Sequence, residues 1–356
     1  TRQAEPGARG AAQTLAHAGA NLSYELDLFG RIARGTDAAR LDAKAREALL
    51  QSTRLVVQAD VAQTYLALRA LDIERAIVRD TAQAYRNTLT LTERRVVAGD
   101  VAELDAARVR TDLASTEAEG LALDRRRAQL EHALAVLVGE AASSFSLAPA
   151  DWSAPLPQVP AGVPSTVLAR RPDVSAALSQ LQAAQARVGV AQAAWFPSLA
   201  LTASGGVASP EISDLFKWSA RTWGIGALLS LPLVDGGRRE AGVQGARAEF
   251  DAAVAAYREQ VLVAFKDVED ELSALRLLAD QSEAQQRAVT SAVRATSLSD
   301  SRYRNGLVSQ LELLDAQRSE LRNRRQAVQV RAAQYQATVG LIRALGGGWD
   351  GRGAAG

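Results

Sequence analysis

The sequence predicts a mainly α protein with a small β component, in which one unit occurs twice: strand, long helix, glycine turn, returning helix, terminal glycine. Three observations predict it. Proline is excluded from two long stretches, a single offset of 207 residues aligns the two halves, and the few strands alternate around a wholly apolar face.

The ten prolines lie at position 6 or between Pro149 and Pro232. A proline inside a helix removes a hydrogen bond and clashes with the preceding turn, at a cost of about 3 kcal/mol. The proline-free stretches are rich in Ala, Leu, Arg, Gln and Glu, which favour helix. They predict helices over 32–96, 101–138, 237–303 and 308–345. At about 1.5 Å per residue the longer ones approach ~100 Å, so they need partners along their whole length.

The last helix shows how partners are found. Leu307, Leu314, Leu321, Val328, Tyr335 and Ile342 recur every seven residues, while Arg318 and Arg325 interrupt the second seam. In the second helix Leu123, Leu130 and Leu137 form one row. Ala107, Ala114, Ala128 and Ala135 share another with Leu121. Two rows predict a helix packed among several neighbours. A soluble antiparallel coiled coil explains the heptads equally well.

The 207-residue offset places Gly30 on Gly237, Arg31 on Arg238, Val61 on Val268 and Arg95 on Arg302. It also places Gly99 on Gly306, Leu104 on Leu311, Asp105 on Glu312, Leu134 on Leu341 and Gly139 on Gly346. One ungapped offset over this length marks an internal repeat. The second copy carries a helix over 170–195 and a strand beginning at Phe196 in front of its long helix. The repeat therefore expects a counterpart helix and strand ahead of residue 1. Between the copies, the proline-dense stretch 146–164 reads as an extended connector lying beside the helices.

The strands alternate cleanly. Leu22, Tyr24, Leu26 and Leu28 oppose Asn21, Ser23, Glu25 and Asp27. Leu199, Leu201 and Ala203 oppose Ser198, Ala200, Thr202 and Ser204, and Trp223, Ile225, Ala227, Leu229, Leu231 and Leu233 share one face. Residues 1–20 and 205–221 read as loops. A half-buried sandwich strand gives the same pattern, but long helices and a connector leave little to cover these faces. An exposed apolar sheet aggregates. Strands of about 9–11 residues instead cross a bilayer when they close into a barrel. Tyr24, Leu26, Leu28, Leu199, Leu201, Leu229 and Leu231 then meet lipid, and Glu25 and Asp27 a water-filled lumen. Phe29, Trp195, Phe196 and Trp223 fall near strand ends, where aromatic girdles sit. Barrels need about eight strands or more, so several chains must share one.

Chemistry is hard to place on this chain. It has formal net charge +1, no cysteine, no methionine and two histidines, His17 in a loop and His132 on a helix. This argues against nucleic-acid binding, a metal site or an enzyme, and no cofactor is expected. No phosphate-binding loop of the G-x-x-x-x-G-K-[ST] kind occurs.

The stretches YELDLFGR, RRPDV, FPSLALTASGG, LSLPLVDGGRR, YRNGLVSQLELLDAQRS and ALGGGW resemble the outer-membrane factors of the TolC/OprM type, especially the NodT-like branch. The resemblance implies a TolC-like fold: a transmembrane β-barrel shared by a homotrimer and continued by a long periplasmic α-helical barrel. It implies the exit duct of a tripartite efflux pump, with a periplasmic adaptor and an inner-membrane transporter of the RND type. A type I secretion duct is the alternative, and a periplasmic coiled-coil scaffold a more distant one. NodT-like members are usually lipoproteins anchored through a cysteine, which this sequence does not contain. The chain then divides into loop and strand (1–31), hairpin (32–138), equatorial connector (139–164), leading helix (165–193), strand hairpin (194–233), second hairpin (234–345) and tail (346–356).

The resemblance also implies roles. Gly99, Asp100 and Val101, with Gly306, Leu307 and Val308, match adaptor-docking tips. Asp105, Glu312 and Asp315 match positions lining a closing aperture, with Tyr303 in its constriction; three copies of each carboxylate make a negative ring that Arg108, Arg302 and Arg304 partly offset. Ordinary solvated helix charge is the competing explanation. Val308 stands where some members place a pairing arginine, so closure relies more on apolar packing.

Overall fold

The structure is a computed structural model that describes residues 2–3, 13–150 and 170–347. Most of the predicted connector and most of the tail lie outside the described residues. Two short pieces, β1 (Arg2–Gln3) and β2 (Gln13–Thr14), pair with each other. They are followed by β3 (Ala16–Leu26), α1 (Arg31–Val97), α2 (Glu103–Val138), α3 (Pro172–Ala193), β4 (Ser198–Ser209), β5 (Arg221–Ser230), α4 (Arg238–Arg304) and α5 (Gln310–Ala344). The four predicted long helices are present, each end within two residues of the sequence-based bounds. The chain forms two compact units, Thr1–Glu47 with Ala176–Glu259 and Ala48–Ser175 with Gln260–Gly356.

The first unit holds an antiparallel sheet in the order β3-β4-β5. Its register puts Leu22, Ala203 and Ile225 in one cross-strand row, Tyr24, Leu201 and Ala227 in the next, and Leu26, Leu199 and Leu229 in a third. Directly paired residues point to the same side, so the predicted apolar positions of three strands merge into one face. Ser23, Thr202 and Gly226 form a row of the opposite, small and polar face. Leu22, Tyr24 and Ile225 are largely exposed: nothing in the described chain covers them.

The strand ends differ from the sequence reading. β3 ends at Leu26, so Asp27 and Leu28 do not extend its lumen and lipid faces. The Asp27 carboxylate instead accepts the Ile32 and Ala33 amides at 3.0 and 2.7 Å and caps α1. Those amide bonds, led by that of Ala33, hold Asp27 below the usual carboxylate range. β5 ends at Ser230, so Leu231 is not a strand residue; Pro232, with no N–H, cannot continue the ladder. At the other end β3 starts earlier than expected and includes His17, opposite Ala208, and β4 runs on to Ser209. Small Ala and Gly residues hide the alternation there, yet they are what the pairing needs. A Cβ on Gly206 would lie 2.6 Å from the Ala18 carbonyl oxygen.

In the second unit the four central heptad residues of α5 enter three successive clusters. Leu314 packs with Tyr85 and Val109, Leu321 against Leu71, Val78 and Leu123, and Val328 and Tyr335 with Ala70. Leu307 and Ile342, at the ends of the row, are exposed. The seam-breaking arginines are cross-links. Arg318 grips Asp112 of α2 through two bonds of 2.7 and 2.8 Å, and Arg325 joins Glu74 of α1 and Glu119 of α2. Buried Asp72 binds Arg69 and Arg127, whose guanidinium groups also hold the Ala148 and Leu147 carbonyls and pin the start of the connector. In the RRPDV stretch, Arg171 binds Asp173, Asp267 of α4 and the Ala344 carbonyl at the end of α5. Burial opposes ionisation of Asp173, but the Arg171 hydrogen bond and charge outweigh it and lower its pKa.

Replacing Gly206 with Ala forces backbone apart between β3 and β4, at a cost of about 1–3 kcal/mol. Gly205→Ala meets open space. Thermal melts followed by circular dichroism should show Gly206→Ala well below both Gly205→Ala and the parent protein.

Candidate docking and gating site

The four long helices end alike. Gly99 donates to the Val96 carbonyl and Asp100 to that of Arg95; 207 residues later Gly306 donates to Tyr303 and Leu307 to Arg302. Gly139 and Glu140, and Gly346 and Gly347, repeat the pattern. These paired bonds satisfy the last carbonyls of each helix and require a left-handed residue. Gly99 and Gly306 supply it, at φ of 80° and 73°. The returning helices begin alike too. Asp105 and Glu312 both stand in the first turn, where negative charge favours the helix dipole. The Glu312 amide donates to the Ser309 side chain, which gives α5 its N-cap. S-x-x-E at 309–312 is a sequence-level start signal for this cap.

At this end of the unit Tyr303 of α4 is buried and touches α1 and α5. Its hydroxyl lies 3.3 Å from Thr92 of α1 and 3.3 Å from the Gln310 side chain of α5. The Arg95 guanidinium covers its ring at 4.8 Å and donates to the Tyr303 and Arg304 carbonyls, neutralising the negative end of α4. The Gln310 amide reaches the Asp105 backbone carbonyl of α2 at 3.4 Å. The sequence Arg95, Tyr303, Gln310, Asp105 thus links α1, α4, α5 and α2.

A cleft of about 540 Å³ opens beside this cluster. Its lining brings together Asp100, Val101, Gly306, Val308, Asp105 and Tyr303. Gly99 and Leu307 sit on the exposed turns, with Val97, Leu104 and Leu311 forming exposed apolar surface around them. Glu312 and Asp315 are exposed and do not line the cleft. Asp315 lies 3.4 Å from Arg318, whose closer partner is Asp112. Glu25, in the first unit, is paired by Arg31 at 2.6 Å. Sequence reasoning missed Thr92, Gln310 and Asp112. Arg95 was visible as a repeated arginine, and Arg318 as a polar residue in an apolar seam.

Residues 1–140 and 163–347 match the model of the family described as outer membrane efflux protein. The chain belongs to this family. It is 36% identical to the outer membrane protein OprJ of Pseudomonas aeruginosa over 329 residues, covering 92% of this chain and 69% of that protein. It is 34% identical over 328 residues to the toluene efflux pump outer membrane protein TtgC of Pseudomonas putida, covering 92% and 68%. Among solved structures, the outer-membrane channel OprN superposes with a TM-score of 0.92 at 31% identity, covering 98% of this chain and 79% of that one. The TolC-like architecture and the outer-membrane location with a periplasmic helical extension follow from this kinship.

Tyr85, behind the Asp112–Arg318 link, provides a pH test. Burial first, then the Asp112 charge, push its hydroxyl up to about 12. A raised folded-state pKa contributes stability that is complete below about pH 10 and is lost as pH rises through about 12. Tyr85→Phe should therefore flatten the fall in melting temperature between those values, against an otherwise parallel curve for the parent.

Proposed function

We propose that this chain is one protomer of a homotrimeric outer-membrane channel that serves as the passive exit duct of a tripartite efflux pump. The observation that carries the reading is the continuous sheet whose three strands turn one uncovered apolar face outward and then feed directly into the long helices. That face asks for lipid, not water. The outer edges of β3 and β5 are unpaired among the described residues, so closure requires strands from other copies. Lipid meets Leu22, Tyr24, Leu26, Leu199, Leu201, Ile225 and Leu229.

The helical hairpins extend into the periplasm. Their turns, Gly99-Asp100-Val101 and Gly306-Leu307-Val308, dock the hairpin of a periplasmic adaptor, which connects to an inner-membrane transporter. The exposed Val97, Leu104, Leu307 and Leu311 give that contact apolar area. The duct performs no chemistry, and energy comes from the transporter. The closed state is held by the Tyr303 cluster and the Asp112–Arg318 link, and the adaptor opens it by binding the separated tips more tightly. Asp105, Glu312 and Asp315 contribute negative charge near the aperture, with Asp105 and Glu312 also stabilising their helix starts.

Planar-bilayer recording tests this reading. Removing one such link costs about 1 kcal/mol, which shifts a closed–open ratio about fivefold. Tyr303→Phe and Arg318→Ala should each raise mean conductance by a few-fold. Asp315→Ala should weaken cation preference with little change in conductance. A protein that never inserts overturns the duct, and unchanged conductance in both tip variants overturns the gate.

A further inference from the structure

We infer that Arg221 and Trp218 form a binding site for a phosphate-bearing lipid headgroup at the outer rim of the sheet. The inference rests on the reading of the apolar face as lipid-facing and deepens it.

Both long helices leave the sheet from one end, where Leu26, Leu199 and Leu229 align. Because the helices extend into the periplasm, the β4–β5 connection at the opposite end faces the cell exterior. The cross-strand rows continue in that direction through Leu22/Ala203/Ile225 and Ala20/Gly205/Trp223 to Ala18/Val207/Arg221. Arg221 therefore stands on the apolar face, in the row beyond Trp223. Eight residues separate it from Leu229, about 26 Å along the strand at ~3.3 Å per residue, which a barrel tilt of about 40° projects to about 20 Å; the long arginine side chain spans the rest of the ~25 Å apolar band. A guanidinium at that level meets lipid headgroups.

The connection is built to hold it. Lys217 donates to the Asp214 carbonyl, Ala220 to that of Lys217, and Arg221 to that of Trp218, so one tight turn sets the two residues against each other. The Arg221 guanidinium lies 3.8 Å from the centre of the Trp218 ring. This contact holds the guanidinium against the ring, and its side-chain N–H donors form no hydrogen bond among the described residues. Lys217 is taken up by Asp214 at 2.8 Å, whereas Arg221 forms no ion pair among the described residues. Ile212, Phe216, Trp218 and Trp223 around it are each more than three-quarters exposed. An unneutralised guanidinium among exposed aromatic rings, above an acyl-chain surface, is complementary to a phosphate attached to lipid. A planar fork binds two phosphate oxygens at once, which a lysine cannot do.

The test uses the channel purified in detergent and titrated with bisphosphorylated lipid A, with bound lipid read by native mass spectrometry. Arg221→Gln should lower lipid A affinity about tenfold and Arg221→Lys by a smaller factor, while phosphatidylethanolamine binding stays unchanged in both. Trp218→Leu should weaken lipid A binding while retaining the charge. Equal lipid A binding by Arg221→Gln and the parent overturns the site, as does full competition by millimolar inorganic phosphate, which would mark a simple anion site. Quenching of Trp223 fluorescence by phosphatidylcholine with brominated acyl chains, judged against Trp223→Phe, reads the membrane contact separately. Quenching with no Arg221 effect removes only the phosphate site; absence of quenching removes the lipid-facing sheet itself.

Discussion

Two helices of 67 residues each set the terms for the rest of the molecule. A helix that long gains little from intrinsic propensity and owes its stability to burial of a face along its length. In the second unit this is met layer by layer. Leu314 and Leu321 of α5 enter separate clusters with α1 and α2 residues, and Val328 and Tyr335 share a third with α1 residues. Between the layers, Arg318 and Arg325 hold Asp112, Glu74 and Glu119. A leucine at either arginine position would add apolar area but leave carboxylates of neighbouring helices without their partner. Ion pairing within the seam specifies which helices lie together and in which register.

The same constraint explains the ends. Carbonyls left over where the four long helices stop would be costly in a bundle, and a glycine with positive φ closes each of them with the same two hydrogen bonds. At Tyr303 this closure is combined with something else. Arg95 both covers the Tyr303 ring and satisfies carbonyls of α4, so the end of one helix is stabilised by a residue of another. Links of this kind are individually worth about 1 kcal/mol and are therefore breakable. In the proposed gate that balance would let the four helix ends, held by several modest bonds, come apart.

In the sheet the balance is reversed. Its polar face is small enough for close strand approach, and no described residue covers its apolar face. The carboxylates at its helix end are engaged, Glu25 by Arg31 and Asp27 by the α1 amides. Asp235 plays the same part for α4, accepting from the Gly237 and Arg239 amides. What reads in sequence as alternation between lipid and lumen becomes, at the strand's last turn, a joint that fastens strand to helix.

The sequence by itself determined the helices, the repeat and the apolar strand face, because each depends on local spacing: proline exclusion, a period of seven, a period of two and glycines 207 residues apart. It also located the tips, since a reversal between helices needs a left-handed residue. Tertiary structure alone decided where the strands stop, because a carboxylate such as Asp27 is drawn to helix amides that lie beyond the alternation. It decided the partners of Arg95, Gln310 and Arg318 as well. Those side chains meet residues more than 200 positions away, and no local period records which of several similar carboxylates or carbonyls a long, flexible side chain will reach once two hairpins pack together.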